Sequence, residues 1–505
     1  MTKWISYVAL LIATMLLSLM PRTAEITATP RAAPPTSIGV NVGSLEYWDH
    51  ERALANLAGV YPWHFAYKKD YSLSAPEYLN GDGSLRMLPP DEVASKRIVM
   101  PAGPFDTLDI HCTYTGKAVF SAFGLIVKYQ RPNNVVFTMR WSPEVSHNHI
   151  HVTHMSTADP IRNFDCREAA IPKKAYFAPE FTSFISNFTA VRFIGWQESQ
   201  QEQPEWSENA EPRTSEMSPG GVSVQAMVAL ANESDVDPWF LLPYKANDAY
   251  LRAFAEYVHR HLEPGRVAYV ELGNEVWNWN FKTTHWAAGE GMKAKLDNDP
   301  FRALLKRYAQ KSSHMFTIWR QEFADDPRRL VRVVATQSAC TEICFKEILD
   351  FENTAANVDA LAIAPYFTTK TEGRSVADMD QIFLEMNASI DKVMSDATVH
   401  KKLADHYHKR LIAYEGGQHI VSQDLALAQA LQRDPRMGRL YMRYLGEWQR
   451  RVGDRMMLLS ATGPIGKFGS WGMREYAGQL ESDAPKLAAT KAFIARLKSP
   501  SDGLR

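Results

Sequence analysis

The stretch Val267-Ala-Tyr-Val-Glu-Leu-Gly-Asn-Glu-Val-Trp-Asn-Trp-Asn280 decides how this chain is read. Its first half is a short apolar run rich in β-branched and aromatic residues that stops at Gly273, the pattern of a buried strand. The strand ends by presenting Asn274 and Glu275, with Trp277, Trp279 and Trp286 close behind. A carboxylic acid at a strand end beside flat apolar faces is a proton donor set next to surfaces on which a ring can stack.

Working outward, runs of the same kind recur. Ser37 to Gly43, Ala190 to Gly195, Pro238 to Pro243, Arg266 to Gly273, Leu330 to Ala335, Val358 to Ala364, Arg410 to Tyr414 and Arg455 to Ala461 all read as buried strands. Helix-period segments separate them. Asp248 to Leu262 puts Leu251, Phe254, Tyr257, Val258 and Leu262 on one face, with Asn247 or Asp248 as cap and Pro264-Gly265 as stop. Leu440, Tyr441, Tyr444, Leu445 and Trp448 form a second stripe, and Pro485 to Leu497 reads as a closing helix. Alternating strands and helices in this number predict an α/β fold, a (β/α)8 TIM barrel. From Leu79 to Ala170 the character changes to short strands punctuated by Gly and Pro, which predicts a β-rich, sandwich-like module inserted after the first barrel strand. The expected order is a signal peptide or anchor over 1–24, a Pro-rich linker over 25–36, barrel over 37–78, the module over 79–170, and the rest of the barrel over 171–505.

Barrel sites lie at the carboxyl ends of the strands. The seventh run ends in Ala413-Tyr-Glu-Gly-Gly417, so Glu415 faces Glu275 across the expected mouth. Two carboxyls about 5 Å apart on either side of a glycosidic bond are what cleavage with retention requires, one as acid/base and one as nucleophile. With Asn274-Glu275 ending the fourth strand and Glu415 ending the seventh, the chain resembles the retaining glycoside hydrolases of the large (β/α)8 clan. It also resembles bacterial secreted proteins labelled cellulose-binding or cellulase-like, through Asp237-Pro-Trp-Phe240, Gly273-Asn-Glu-Val-Trp-Asn278 and the early β insertion. The resemblance implies that Glu275 is the acid/base, Glu415 the nucleophile, and Asn274 a contact to the sugar 2-hydroxyl. It further implies that Arg192 supports the nucleophile and that Tyr366 and Trp471 line the site. Those roles require Glu275 to carry the proton while Glu415 stays ionised beside Arg192 and Tyr366. Trp277, Tyr244 and Trp196 join the expected substrate-binding set; Trp239 and Gln337 are weaker candidates. The substrate would be a polysaccharide or oligosaccharide, with no metal and no cofactor. The alternatives are a non-catalytic carbohydrate-binding or polysaccharide-assembly barrel, or a transglycosidase.

Lys+Arg 56 against Asp+Glu 57 over 505 residues, without a block of one sign, argues against a nucleic-acid partner. Lys3 followed by the apolar run Trp4 to Met20 has the order of a secretory signal, so a secreted or periplasmic protein is expected. An uncleaved segment would make it a membrane anchor, since Arg22 stands where a small residue is expected before Ala24. Cys112, Cys166, Cys340 and Cys344 suit an oxidising compartment and group as one pair in each half; Cys340-x3-Cys344 also fits two buried thiols or half a metal site. His147, His149 and His151 alternate along a strand and so share a face, which invites a metal, but no carboxylate companion is evident nearby and an exposed polar strand face is the ordinary explanation.

Overall fold

The structure, a computed structural model, describes residues 36–46, 50–65, 76–98, 107–140, 148–207 and 221–499. The expected signal or anchor, the linker up to residue 35 and His147 lie outside the described residues.

After β1 (Ile38–Asn41) the chain makes antiparallel strands β2 (His64–Phe65), β3 (Ala94–Ile98), β4 (Leu108–Thr115), β5 (Ala118–Phe123), β6 (Leu125–Arg131), β7 (Asn134–Met139), β8 (Asn148–Met155) and β9 (Arg162–Glu168). It then continues through β10 (Ala190–Arg192), β11 (Asp237–Leu242), β12 (Ala268–Leu272), β13 (Leu330–Ala335), β14 (Ala360–Ile363), β15 (Arg410–Ala413) and β16 (Met456–Leu458). Strands β1 and β10 to β16 close a parallel barrel in that order, and β16 returns to β1 through Ile38 and Met456. These are the eight runs expected from the sequence. They were legible because a parallel strand covered on both faces is apolar on both, and so reads as a run rather than an alternation.

Helices cover the barrel through the expected stripes. Asp248–His261 is capped by Asn247, whose side chain accepts from the Tyr250 amide, and buries Leu251, Phe254 and Val258. Pro435–Arg451 buries Leu440, Tyr441, Tyr444, Leu445 and Trp448. At the amino ends of the strands, Arg455 pairs with Asp237 at 2.8 Å and Arg410 with Asp454 at 2.7 Å. The ring of Tyr269 lies against both guanidinium groups, at 4.5 and 5.6 Å. These paired charges close the floor of the barrel, with Arg455 Nη1 buried and without a hydrogen-bond partner.

The antiparallel strands form two four-stranded sheets, ordered β2-β3-β8-β5 and β6-β7-β4-β9, over a common core that includes Ile110, Phe120, Phe137 and Ile150. Pairing begins at His64 with Ser95, ahead of the Gly/Pro punctuation near residue 79. Both expected disulfides form: Cys112 to Cys166 between paired positions of β4 and β9, and Cys340 to Cys344. On β8, His149 lies 3.0 Å from the Ser95 hydroxyl and 6.0 Å from the His151 ring, on one half-buried face. Among the described residues no group of three or more His, Cys, Asp or Glu is arranged to hold a metal ion, and no helix is long and apolar enough to cross a membrane.

Candidate active site

β12 ends on a backbone that turns sharply. Gly273 has φ +69, and a Cβ there would meet the Val276 side chain at 2.9 Å. Glu275 itself has φ +46, a left-handed conformation that non-glycine residues adopt rarely and that recurs at functional sites. The turn leaves Glu275 half-buried. One carboxylate oxygen accepts from the Tyr414 hydroxyl at 2.8 Å and the other from the Asn278 amide at 2.8 Å.

Glu415 follows β15 by two residues and is 5% exposed. Its Oε1 accepts from Arg192 Nη1 at 3.0 Å and its Oε2 from the Tyr366 hydroxyl at 2.7 Å. Arg192, fully buried at the end of β10, also donates to Asn41 Oδ1 at 3.0 Å, Asn274 Oδ1 at 2.9 Å and Glu271 Oε2 at 3.0 Å. A single guanidinium thus joins residues of β1, β12 and the loops after β12 and β15, and the rings of Trp239 and Tyr414 lie 5.5 and 5.1 Å from it. The planar five-donor fork is what permits so many oriented bonds from one charge.

Two carboxylates, Glu271 and Glu415, share that one cation. Burial pushes Glu415 up to about 7, against the pull of Arg192; the nearby Glu275 charge adds to the rise, and the Tyr366 hydroxyl opposes it. Arg192 and Tyr366 therefore oppose the desolvation of Glu415 and favour its ionised form. Glu271 is raised too, by burial, with Arg192 opposing. Burial raises Tyr366 and Tyr414 well above the ordinary phenol range, so both hydroxyls remain donors to the carboxylates beside them.

Tyr366 continues into an aromatic line. Its ring meets His419 at 5.3 Å, and His419 meets Trp471 at 5.5 Å. Trp471 and Trp277 are half-buried in the loops after β16 and β12, each with an indole N–H that is buried and has no partner. Trp279 is 46% exposed. Asn274, Arg192, Tyr366 and Glu415 are thus joined by direct hydrogen bonds, Glu275 is linked to them through Tyr414, whose ring lies against Arg192, and Trp471 reaches them through His419.

Two expected members stand elsewhere. Trp196 is 1% exposed and stacks on Phe177 and Phe181, because the turn after β10 swings its indole into the layer between barrel and helix. Tyr244 is fully buried, gives its hydroxyl to Glu290 at 3.2 Å, and belongs to the same outer core. Gln337 is exposed at the turn before Cys340. Conversely, Glu271, Asn41, Tyr414 and Asn278 were missed. A signal for the first existed: Glu271 inside one apolar strand and Arg192 inside another are opposite charges that burial obliges to meet. Trp239, a weaker candidate, supplies an N–H to Glu271 at 3.0 Å.

No protein-family model matches the sequence, and no curated protein matches it. Solved structures with a similar fold include the α-L-arabinofuranosidase of Thermotoga maritima in complex with arabinose, at 11% identity over 63% of each chain and a TM-score of 0.39. An arabinofuranosidase from Xanthomonas axonopodis pv. citri aligns at 14% identity over 59% of this chain and 62% of that one, TM-score 0.38. The xylanase 10B of Clostridium thermocellum, complexed with xylohexaose, aligns at 10% identity over 88% and 97%, TM-score 0.37. The chain spans less than two thirds of the length of either arabinofuranosidase. Likeness of this degree fixes neither activity nor substrate.

Chemically, the constellation offers one half-buried carboxyl braced by a tyrosine and an amide, and one buried carboxyl braced by an arginine and a tyrosine. Their environments differ, which is how two like groups come to hold different roles.

Proposed function

We propose that this chain is an exported retaining glycoside hydrolase that cleaves β-glycosidic bonds in a polysaccharide or oligosaccharide. The observation that carries the reading is the contact of Arg192 with both Asn274 and Glu415, which ties the ends of the fourth and seventh barrel strands into one unit. In the first step a Glu415 oxygen attacks the anomeric carbon, the bond to the leaving oxygen breaks, and Glu275 gives that oxygen its proton. In the second, Glu275 takes a proton from water, the water oxygen attacks the same carbon, and Glu415 is released. Arg192 and Tyr366 orient Glu415, and Tyr414 and Asn278 orient Glu275. Asn274, with its Oδ1 on Arg192, turns its amide N–H groups to the sugar 2-hydroxyl. Trp471 and Trp277 supply stacking faces and unspent N–H donors. The two carboxyls need no cofactor for this chemistry. Two disulfides support export. The strands from residue 79 to 170 act as an accessory module.

Glu275→Gln and Glu415→Gln, assayed on an activated aryl glycoside and on polysaccharides by release of reducing ends, test the proposal. On polysaccharides each replacement is expected to lower kcat/KM by at least about 10³-fold, and on the activated glycoside Glu415→Gln alone is expected to do so, because a good leaving group departs without a proton. Wild-type rates from Glu415→Gln would sink the mechanism.

A further inference from the structure

Glu271 lies on β12, one turn of backbone short of Glu275, and is 1% exposed. The steps proposed above make no use of it. All of its hydrogen bonds fall on one oxygen: Oε2 accepts from Arg192 Nε at 3.3 Å, from Arg192 Nη2 at 3.0 Å and from Trp239 Nε1 at 3.0 Å. Oε1 is buried and has no hydrogen-bond partner among the described residues. Glu415 takes the remaining nitrogen of the same guanidinium, Nη1, at 3.0 Å. Arg192 therefore stands between two buried carboxylates, and with both ionised the three side chains carry one net negative charge. Glu275, on the loop after β12, adds a third carboxyl whose charge Glu271 feels. The phenols near Glu271 are Tyr414, after β15, and Tyr308, on the helix Pro300–Glu322; burial raises both, so neither brings a charge.

An arginine bonded to a nucleophilic carboxylate acts in two directions. It orients the carboxylate and keeps it ionised, but an unshared guanidinium also lowers its basicity, and with that its readiness to attack carbon. It further places a positive charge beside an anomeric carbon that itself becomes positive in the transition state. A second carboxylate on the other side of the guanidinium offsets both effects. We propose that Glu271 is a positioning residue for the nucleophile: it holds Arg192 in place and cancels its charge, so that the guanidinium orients Glu415 without neutralising it and the site stays negative where the sugar becomes positive. This role rests on the glycosidase chemistry proposed above, whereas the charge relation between Glu271 and Glu415 does not. A glutamine could accept the same three bonds through its carbonyl oxygen. What it lacks is the charge.

Glu271→Gln, compared with wild type in the pH dependence of kcat/KM on an activated aryl glycoside, tests it. The acid limb is expected to move down by about one pH unit, because Arg192 then pulls on Glu415 alone, and the plateau to fall at least about tenfold. A residue that merely braced Arg192 predicts the opposite sign: a loosened guanidinium loses its hold on Glu415, and the limb moves up. A Glu271 that is already uncharged in the native protein predicts a limb that stays in place. Either result, or a plateau that does not fall, overturns the proposal. Carboxyl 13C NMR of protein labelled at glutamate follows the same ionisation without turnover, with the Glu415 signal identified by its loss from Glu415→Gln. That signal should titrate at lower pH in Glu271→Gln, and titration at the wild-type pH or above overturns the proposal whether or not a glycoside is cleaved. A wild type that cleaves no glycoside overturns the proposed function instead, and the NMR titration still decides the charge relation. Glu271→Met, which removes the charge without adding a buried amide, repeats both measurements. Failure of both variants to fold would assign Glu271 to the barrel rather than to the nucleophile, and so overturn the proposal.

Discussion

Arg192 bears more of the site than any other residue. Its side chain is fully buried, and the carboxylates and amides around it give each of its bonds a separate strand or loop to hold. Burial outweighs the pull of Arg192, so Glu415 sits at about 7, and small changes in its surroundings should show in the pH profile. Glu415 attacks only when ionised, so kcat/KM must fall as pH drops through its value. Tyr366→Phe removes a hydroxyl that favours the carboxylate, which raises Glu415 further; the acid limb should move to higher pH by about one unit. A pH–rate profile of the variant checks this, and a limb that moves down or stays in place contradicts it. Glu275 and Glu415 were legible because each is a lone carboxylate at the end of an apolar run. Glu271 and Asn41 were not, because they lie inside such runs, and a polar residue within a strand declares its role only when its partner on another strand is known. Trp196 and Tyr244 were misassigned for the reverse reason: an aromatic after a strand can turn inward or outward, and spacing does not say which.

At the scale of elements, the loops after β15 and β16 are held from behind by helices. Tyr444 accepts from the Gly417 amide at 3.3 Å and donates to the Pro365 carbonyl at 3.0 Å, and Tyr441 accepts from the Gln418 amide at 3.2 Å. Lys486 from the last helix and the Gln418 side chain both donate to the Ser470 carbonyl at 2.8 Å, next to Trp471. The helix stripes were read from the sequence as packing faces; that two of their tyrosines brace the loop carrying Glu415 was beyond it, because periodicity reports burial and not the direction of a hydroxyl. Gly469 is the weak point of this arrangement. With φ +147, a Cβ there would fall about 2.1 Å from the Trp471 ring. Gly469→Ala should therefore displace the indole and raise KM about tenfold, with the far-UV circular dichroism unchanged, since only substrate stacking is lost. An unaltered KM would remove Trp471 from the site.

At the scale of the molecule, eight apolar runs specify the closed sheet, and the strand order leaves Glu275 and Glu415 at the same end of it. The antiparallel sheets were legible as β and not in their extent, since β2 is two residues long and carries no periodicity of its own. Their disulfide closes a 54-residue separation against four for Cys340–Cys344. Loop-closure entropy then assigns about 4 kcal/mol to the first and about 2 kcal/mol to the second. Cys112→Ala with Cys166→Ala should accordingly lower the urea midpoint more than Cys340→Ala with Cys344→Ala does, and the opposite order would contradict the entropic account. The central claim is that the barrel sets Glu415 as nucleophile opposite Glu275. Its most direct test is to incubate the protein with a panel of activated 2-deoxy-2-fluoro-glycosides, which slow the second step more than the first, and to map the adduct by peptide mass spectrometry. The predicted result is one sugar per chain on the peptide containing Glu415, absent from Glu415→Gln; a sugar attached at Glu275 or Glu271, or turnover of ordinary glycosides with inversion, would contradict it.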